Sequence, residues 1–292
     1  MDSMRSPVQH CTAIWCKTTS SLALLVPLLL FTLVRPSAAV PHFQEPNLDH
    51  FRCYPVLTHQ LGLFFLVGLE DQFDRSPAVD QYFTGLALRF CNPVAKTHAD
   101  RGPGGGQSGQ IRDEDHHLTL YGLVPLRSER GLTWRVHVEN QFGRQSLTVR
   151  DARGLMVPTH KIERGLQAPE GLNHFLCYKA SGNELNAVLT LEDQFETMQV
   201  VALQPEVFCN PVEKTLPDGT VSPIEDDEAH LVCYEIKPTG GLVFDTVREV
   251  QIDNQFVPNP PTQLDVADSE DILCVPSRKN FAIGFPGAFK TP

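Results

Sequence analysis

One short pattern, written four times, constrains this chain more than any other feature. It runs His-apolar-X-(Cys)-Tyr, then an apolar segment ending in Asp/Asn-Gln-Phe, then apolar-(Cys) with a Pro close behind. Quarter one reads His50-Phe51-Arg52-Cys53-Tyr54, Asp71-Gln72-Phe73 and Phe90-Cys91-Asn92-Pro93. Quarter two reads His117-Leu118-Thr119-Leu120-Tyr121, Asn140-Gln141-Phe142 and Leu155-Met156-Val157-Pro158. Quarter three reads His174-Phe175-Leu176-Cys177-Tyr178, Asp193-Gln194-Phe195 and Phe208-Cys209-Asn210-Pro211. Quarter four reads His230-Leu231-Val232-Cys233-Tyr234, Asn254-Gln255-Phe256 and Leu273-Cys274-Val275-Pro276. A fixed period of this kind is the signature of repeated supersecondary units. Cys-Asn-Pro-Val-X-Lys-Thr occurs at both Cys91–Thr97 and Cys209–Thr215, so the quarters group into two copies.

The alignment makes the cysteines interpretable. Quarters one, three and four carry one Cys in the opening segment and one in the closing segment, while quarter two carries Leu120 and Met156 there. The two thiols are absent together, as expected if they bond each other. The predicted pairs are Cys53–Cys91, Cys177–Cys209 and Cys233–Cys274. Connectivity is ordinarily unreadable from sequence; the repeat supplies it here. Each bridge closes a loop of a size that chain entropy rates at about 3.5–4 kcal/mol.

Residues 1–39 read as a signal peptide: Arg5 and Lys17 precede the apolar run Leu22–Val34, and Pro36-Ser37-Ala38-Ala39 offers a cleavage site near Ala39. That run is shorter than the roughly 20 residues of a membrane helix. Cleavage removes Cys11 and Cys16 and leaves an even set of thiols, which suits an oxidising compartment. The organisation that follows is an N-terminal extension 40–49, copy 1 at 50–161, a linker 162–172, copy 2 at 173–279 and a tail 280–292. Loss of Arg5, Lys17, Arg35 and Asp2 takes the formal charge from −11 to −13. Such acidity argues against tracking a nucleic-acid backbone, and no mature segment is apolar for long enough to span a membrane.

The chain predicts an all-β fold: two tandem, disulfide-stapled, β-sandwich or barrel-like domains, each an internal duplication. Trp134–Val138 alternates apolar with polar, as a half-buried strand does. Hairpins are expected over Trp134–Val149 and Val188–Leu203, turning near Asp/Asn-Gln-Phe, where a short polar side chain bonds its own backbone. Phe73, Phe142, Phe195 and Phe256 would anchor these turns. Pro93, Pro158, Pro211 and Pro276 would end strand pairing, since Pro lacks the N–H. Gly102-Pro103-Gly104-Gly105-Gly106 reads as a loop tip.

No set of residues declares a reaction. His50, His174 and His230 stand three before a Cys, but positions three apart face opposite sides of a strand. His117 also persists where the Cys is gone, so a structural hydrogen-bonding role is the better reading. The acidic runs Asp113-Glu114-Asp115 and Glu225-Asp226-Asp227-Glu228 occupy equivalent loops. Asp113, Asp115, Asp226 and Asp227 are the calcium candidates, though the spacing lacks a twelve-residue cation loop and solvated loops are favoured. No serine elbow, phosphate loop or zinc helix motif occurs. Asp71 and Asp193 alternate with Asn140 and Asn254, which suits a turn better than proton transfer. Lys96 and Lys214 mark equivalent corners.

Taken together these blocks resemble a family of secreted bacterial domains of unknown function that occur in tandem. The resemblance covers nearly all of the mature chain and departs from it at Leu120, Met156 and the Gly-rich insertion. It implies no activity, ligand or catalytic residue. The expectation is an exported module, secreted, periplasmic or on the cell surface, that binds an extracellular protein or glycan or serves as structure, without a cofactor. A hydrolase built from loop carboxylates and a calcium-stabilised adhesive module are the alternatives.

Overall fold

The computed structural model describes residues 44–57, 64–74, 79–98, 109–126, 133–163, 165–240, 246–257, 261–268 and 271–281. The segment read as a signal peptide, the Gly-rich tip and the tail after residue 281 lie outside the described residues. Those described hold sixteen strands and no helix.

Each quarter supplies an opening and a closing strand. These are β1 (Phe51–Pro55) with β3 (Asp80–Pro93), β5 (His117–Pro125) with β7 (Gly143–Lys161), β8 (Phe175–Ser181) with β10 (Thr197–Pro211), and β13 (His230–Pro238) with β16 (Ile272–Phe281). Each opening strand pairs antiparallel with its own closing strand. Each closing strand pairs antiparallel with the next opening strand. β16 then pairs with β1, placing Phe51 opposite Cys274. The eight strands therefore close into a ring, the barrel-like form of the all-β expectation. The two copies are joined within it: β7 pairs with β8 and β16 with β1, so the described strands of both copies belong to one compact unit.

Strand alternation sorts the residues onto two faces. One buried cluster draws on all eight ring strands and so fills the inside. It contains Phe51, Leu118, Phe175 and Leu231 and the four facing pairs Cys53/Cys91, Leu120/Met156, Cys177/Cys209 and Cys233/Cys274. An eight-stranded ring has an interior just wide enough for side chains to fill. The members of each pair lie directly opposite in register, and the three cysteine pairs are disulfides. Leu120 needs more room than a half-cystine. Gly154 provides it, since a Cβ there would come within 2.6 Å of a Leu120 methyl.

The alternate residues Tyr54, Tyr121, Tyr178 and Tyr234 face outward, yet all are buried. Four hairpins cover them. Each begins with β2 (Leu66–Glu70), β6 (Thr133–Asn140), β9 (Ala187–Glu192) or β14 (Val247–Asp253). Three return along the front half of β3, β7 or β10, and the fourth along β15 (Thr262–Ala267). The hairpins expected over Trp134–Val149 and Val188–Leu203 are among them. Their apolar faces, such as Val67 and Leu69 or Leu189 and Leu191, form the outer core.

The prolines act differently from expectation. β3 and β10 end at Pro93 and Pro211, but β7 and β16 run on past Pro158 and Pro276. The chain changes partner there instead. Before Pro276, β16 pairs in the ring; after it, Arg278 to Phe281 pair with β6. The same switch joins Lys161 of β7 to β14, β4 (Ala95–His98) to β9, and β11 (Glu213–Thr215) to β2. In every case the segment after the proline pairs with the hairpin two quarters away.

One copy alone supplies half the ring and leaves open strand edges, and its hairpins find their supports on the other copy. A fragment of residues 173–279 is therefore expected not to behave as a folded monomer. A fragment that sedimented as a monomer with native-like near-ultraviolet dichroism would overturn this account.

Candidate functional site

The repeated polar residues converge at four places between the ring and the hairpins. In each turn the Asp or Asn Oδ1 accepts the backbone N–H of the following Phe: Asp71–Phe73 at 2.7 Å, Asn140–Phe142 and Asp193–Phe195 at 2.9 Å, Asn254–Phe256 at 3.0 Å. This is the side-chain-to-backbone turn that short polar residues favour.

The second polar atom of each turn residue reaches a tyrosine of the quarter two places on. Tyr178 donates to Asp71 Oδ2 at 2.8 Å and Tyr54 to Asp193 Oδ2 at 2.6 Å. Asn140 Nδ2 donates to the Tyr234 hydroxyl at 2.9 Å and Asn254 Nδ2 to that of Tyr121 at 3.0 Å. The alternation of Asp and Asn is matched by a third group. Asp71 also accepts from Asn210 Nδ2 at 2.8 Å, whereas Asn140 donates to Ser277 Oγ at 3.1 Å and Asn254 to Thr159 Oγ1 at 3.0 Å. An acceptor-only carboxylate meets a donor, and an amide donor meets a hydroxyl acceptor.

A lysine closes each latch over the turn phenylalanine. Its ammonium lies 4.6 Å from the ring centre for Lys96 and Phe142, 4.8 Å for Lys161 and Phe195, 5.9 Å for Lys214 and Phe256, and 4.7 Å for Lys279 and Phe73. These are cation–π distances. Lys96, Lys161 and Lys214 also donate to Gln141, Gln194 and Gln255 of the same turns. The sequence reading singled out Lys96 and Lys214 and missed Lys161 and Lys279. The signal was present, since each lysine stands five residues after the closing Cys or Met.

The repeated histidines sit beside these lysines. His50 Nε2 is 3.3 Å from Glu45, His117 Nε2 is 3.4 Å from Gln194 Oε1, and His174 Nε2 is 3.0 Å from Lys214 Nζ and 2.7 Å from Gln255 Nε2. The His230 ring meets the Phe208 ring at 5.8 Å. Burial is the first cause lowering the pKa of all four, to about 4 at His117 and about 3 at His174. They are therefore neutral at physiological pH.

The acidic loops fold onto themselves and their neighbours. Asp113 accepts from the Asp115 N–H and Asp226 from the Glu228 N–H, while Asp115 accepts from the Gln167 N–H. Asp49 and Asn173, each just before a repeated His, accept backbone N–H groups of these loops. The structure describes no side-chain bond for Asp227, whose carbonyl accepts from Gln72. Among the described residues no group of three or more His, Cys, Asp or Glu side chains is arranged to hold a metal ion.

One cluster has no counterpart in the other quarters among the described residues, and no repeated motif announced it. Arg52, buried where the other quarters carry Thr119, Leu176 and Val232, donates to Asp271 Oδ2 at 2.7 and 2.9 Å and pairs with Glu196 at 2.8 Å. Burial pushes Asp271 up to about 7, with Arg52 opposing.

Residues 117–253 match a family model described as a repeat of unknown function (DUF7450). The match runs from the opening strand of quarter two into the hairpin of quarter four, and so crosses the junction between the copies. No curated protein and no solved structure matches the chain.

Two outcomes follow from the latches. Asn140→Asp replaces the donor facing Ser277, whose own hydrogen is committed to the Val275 carbonyl. A loss of about 1–3 kcal/mol is expected for a buried group left unpaired, read by equilibrium denaturation. The second outcome is pH dependence. With the folded pKa of His117 lowered to about 4 against about 6.5 unfolded, its contribution is complete above 6.5. It is lost as pH falls toward 4, at most about 1.4 kcal/mol per pH unit. Proton NMR should show the His117 ring titrating near 4.

Proposed function

We propose that this chain is an exported, non-enzymatic binding or structural module whose fold is a scaffold for its surface loops. One observation carries the reading: the Asp/Asn and Tyr residues that recur in every quarter bond one another between ring and hairpins, with a Lys over each turn Phe, three of the four Gln drawn into the same latches and the His beside them. The residue types that could have supplied repeated chemistry are thus fastenings. Three disulfides support an oxidising compartment, and among the described residues no helix is long and apolar enough to cross a membrane. Site-specific work at four identical places would need open, substrate-facing groups. Here His50, His117 and His230 are buried, as are Lys96, Lys161 and Lys214.

Incubating the purified, oxidised protein with cell-wall fragments and exopolysaccharides of its host tests this reading. Retention of the protein on one such material, with no release of reducing ends or peptides, is expected. Product release that disappears when loop carboxylates such as Asp113 and Asp226 are replaced by Asn would establish the hydrolase alternative. A melting temperature that falls on chelation would favour the calcium-stabilised one.

A further inference from the structure

One latch holds more than a hydrogen-bond network. Lys279 of β16 places its Nζ 2.8 Å from the Asn210 carbonyl oxygen of β10. On the other side of the same amide, Asn210 Nδ2 lies 2.8 Å from Asp71 Oδ2. The amide orientation is set by its neighbours, since an amine faces its oxygen and an acceptor faces its nitrogen. Tyr178 holds the same Asp71 oxygen at 2.8 Å. The aromatic rings of Phe73 and Phe208 stand 4.7 and 5.8 Å from Nζ. Asn210 and Phe208 have no exposed surface, and Asp71 and Tyr178 are buried. An amine, a carboxamide and a carboxyl group are thus lined up in an apolar pocket.

We infer that Lys279 and Asn210 are joined by an intramolecular isopeptide bond, formed by the chain itself with Asp71 as the proton carrier. The unprotonated Nζ attacks Cγ of Asn210, forming the new C–N bond and a tetrahedral centre. Asp71 takes one proton from Nζ and delivers one to Nδ2. The Cγ–Nδ2 bond then breaks and ammonia leaves. One amide replaces another, so no oxidant, reductant or co-reactant is required.

The surroundings favour the reaction in three ways. The reacting groups are held in contact by the ring and the quarter-one hairpin, which replaces a bimolecular encounter. Burial lowers the pKa of Lys279 to about 7, which makes the neutral amine accessible near neutrality, and burial also raises that of Asp71, which favours its taking up a proton. A neutral lysine in such a pocket is an activated nucleophile.

The equivalent place in the other half of the ring serves as a comparison. There Asn92, Asp193, Tyr54, Phe195 and Phe90 occupy the matching positions, but Lys161 is ion-paired with Glu163 at 2.7 Å. Asn92 is buried, and both its amide atoms lack hydrogen-bond partners. Quarters two and four have Val157 and Val275 where the asparagines stand, and so carry no carboxamide at that position.

Peptide mapping of the purified full-length protein, after reduction and alkylation, tests the inference. The expected result is a branched peptide containing Asn210 and Lys279, lighter by one ammonia, about 17 mass units, than its two linear parts. Trypsin should fail to cut after Lys279. Recovery of Asn210 and Lys279 in separate linear peptides of unaltered mass would overturn it. Two variants test the roles while dichroism reports folding. Lys279→Arg keeps a cation over Phe73 and should show no ammonia loss. In the fraction of Asp71→Asn that dichroism shows to be folded, linkage should fall at least tenfold, and linkage at the wild-type extent would remove Asp71 from the mechanism.

Discussion

Everything in this structure depends on closure of the ring by β1 and β16. Open antiparallel sheets present unpaired N–H and C=O groups at both edges. Pairing Phe51 with Cys274 and Cys53 with Ile272 removes both edges at once. Closure also fixes the interior volume, and this explains why half-cystines recur there. Facing side chains on adjacent strands come from directly opposite positions, close enough for a short S–S bridge, and the remaining space is taken by Phe51, Leu118, Phe175 and Leu231. Quarter two solves the same problem without sulfur by pairing a large Leu120 with the open space at Gly154.

The outer layer ties the copies together in a second way. The turns of quarters one and two dock on tyrosines of quarters three and four, and the reverse holds. Each copy therefore lacks the groups that satisfy its own turn residues. A buried Asp or Asn without such partners would carry a desolvation cost, so the latches disfavour partial assembly. They also make the folding contacts highly non-local: Tyr54 meets Asp193 and Tyr121 meets Asn254.

The local grammar of this architecture was legible. Alternating strands, turns at Asp/Asn-Gln-Phe and an all-β fold follow from residue types and spacing. The joint replacement of two cysteines by Leu120 and Met156 pointed to their being neighbours, because a ladder sets them opposite one another. Partner choice was not legible. A repeat tells which residues are equivalent, but not that a turn reaches the quarter after next. For the same reason Pro158 and Pro276 read as strand ends, when they mark a change of partner within a continuing strand. Lys161 and Lys279 were hidden by sequence divergence around them: Thr159-His160 and Ser277-Arg278 stand where Val94-Ala95 and Val212-Glu213 preserve the echo.

The Asp/Asn alternation sorts the turns by the groups that face them. Read along the chain, it looked like tolerance at a turn. Read across the ring, it follows the facing group at three of the four turns, where Asp71 accepts from Asn210 while Asn140 and Asn254 donate to Ser277 and Thr159. Aspartates at 71 and 193 stand opposite the quarters that carry Asn210 and Asn92, while asparagines at 140 and 254 stand opposite Ser277 and Thr159. A swap at one turn alone would set donor against donor or leave a carboxylate facing a committed hydroxyl. The fourfold backbone is therefore a twofold structure in its chemistry, with quarter one matching three and quarter two matching four. Phe51 and Phe175 against Leu118 and Leu231 follow the same division. The natural building unit is thus a pair of unlike quarters, and the ring is two such pairs, each completing the hydrogen bonds of the other.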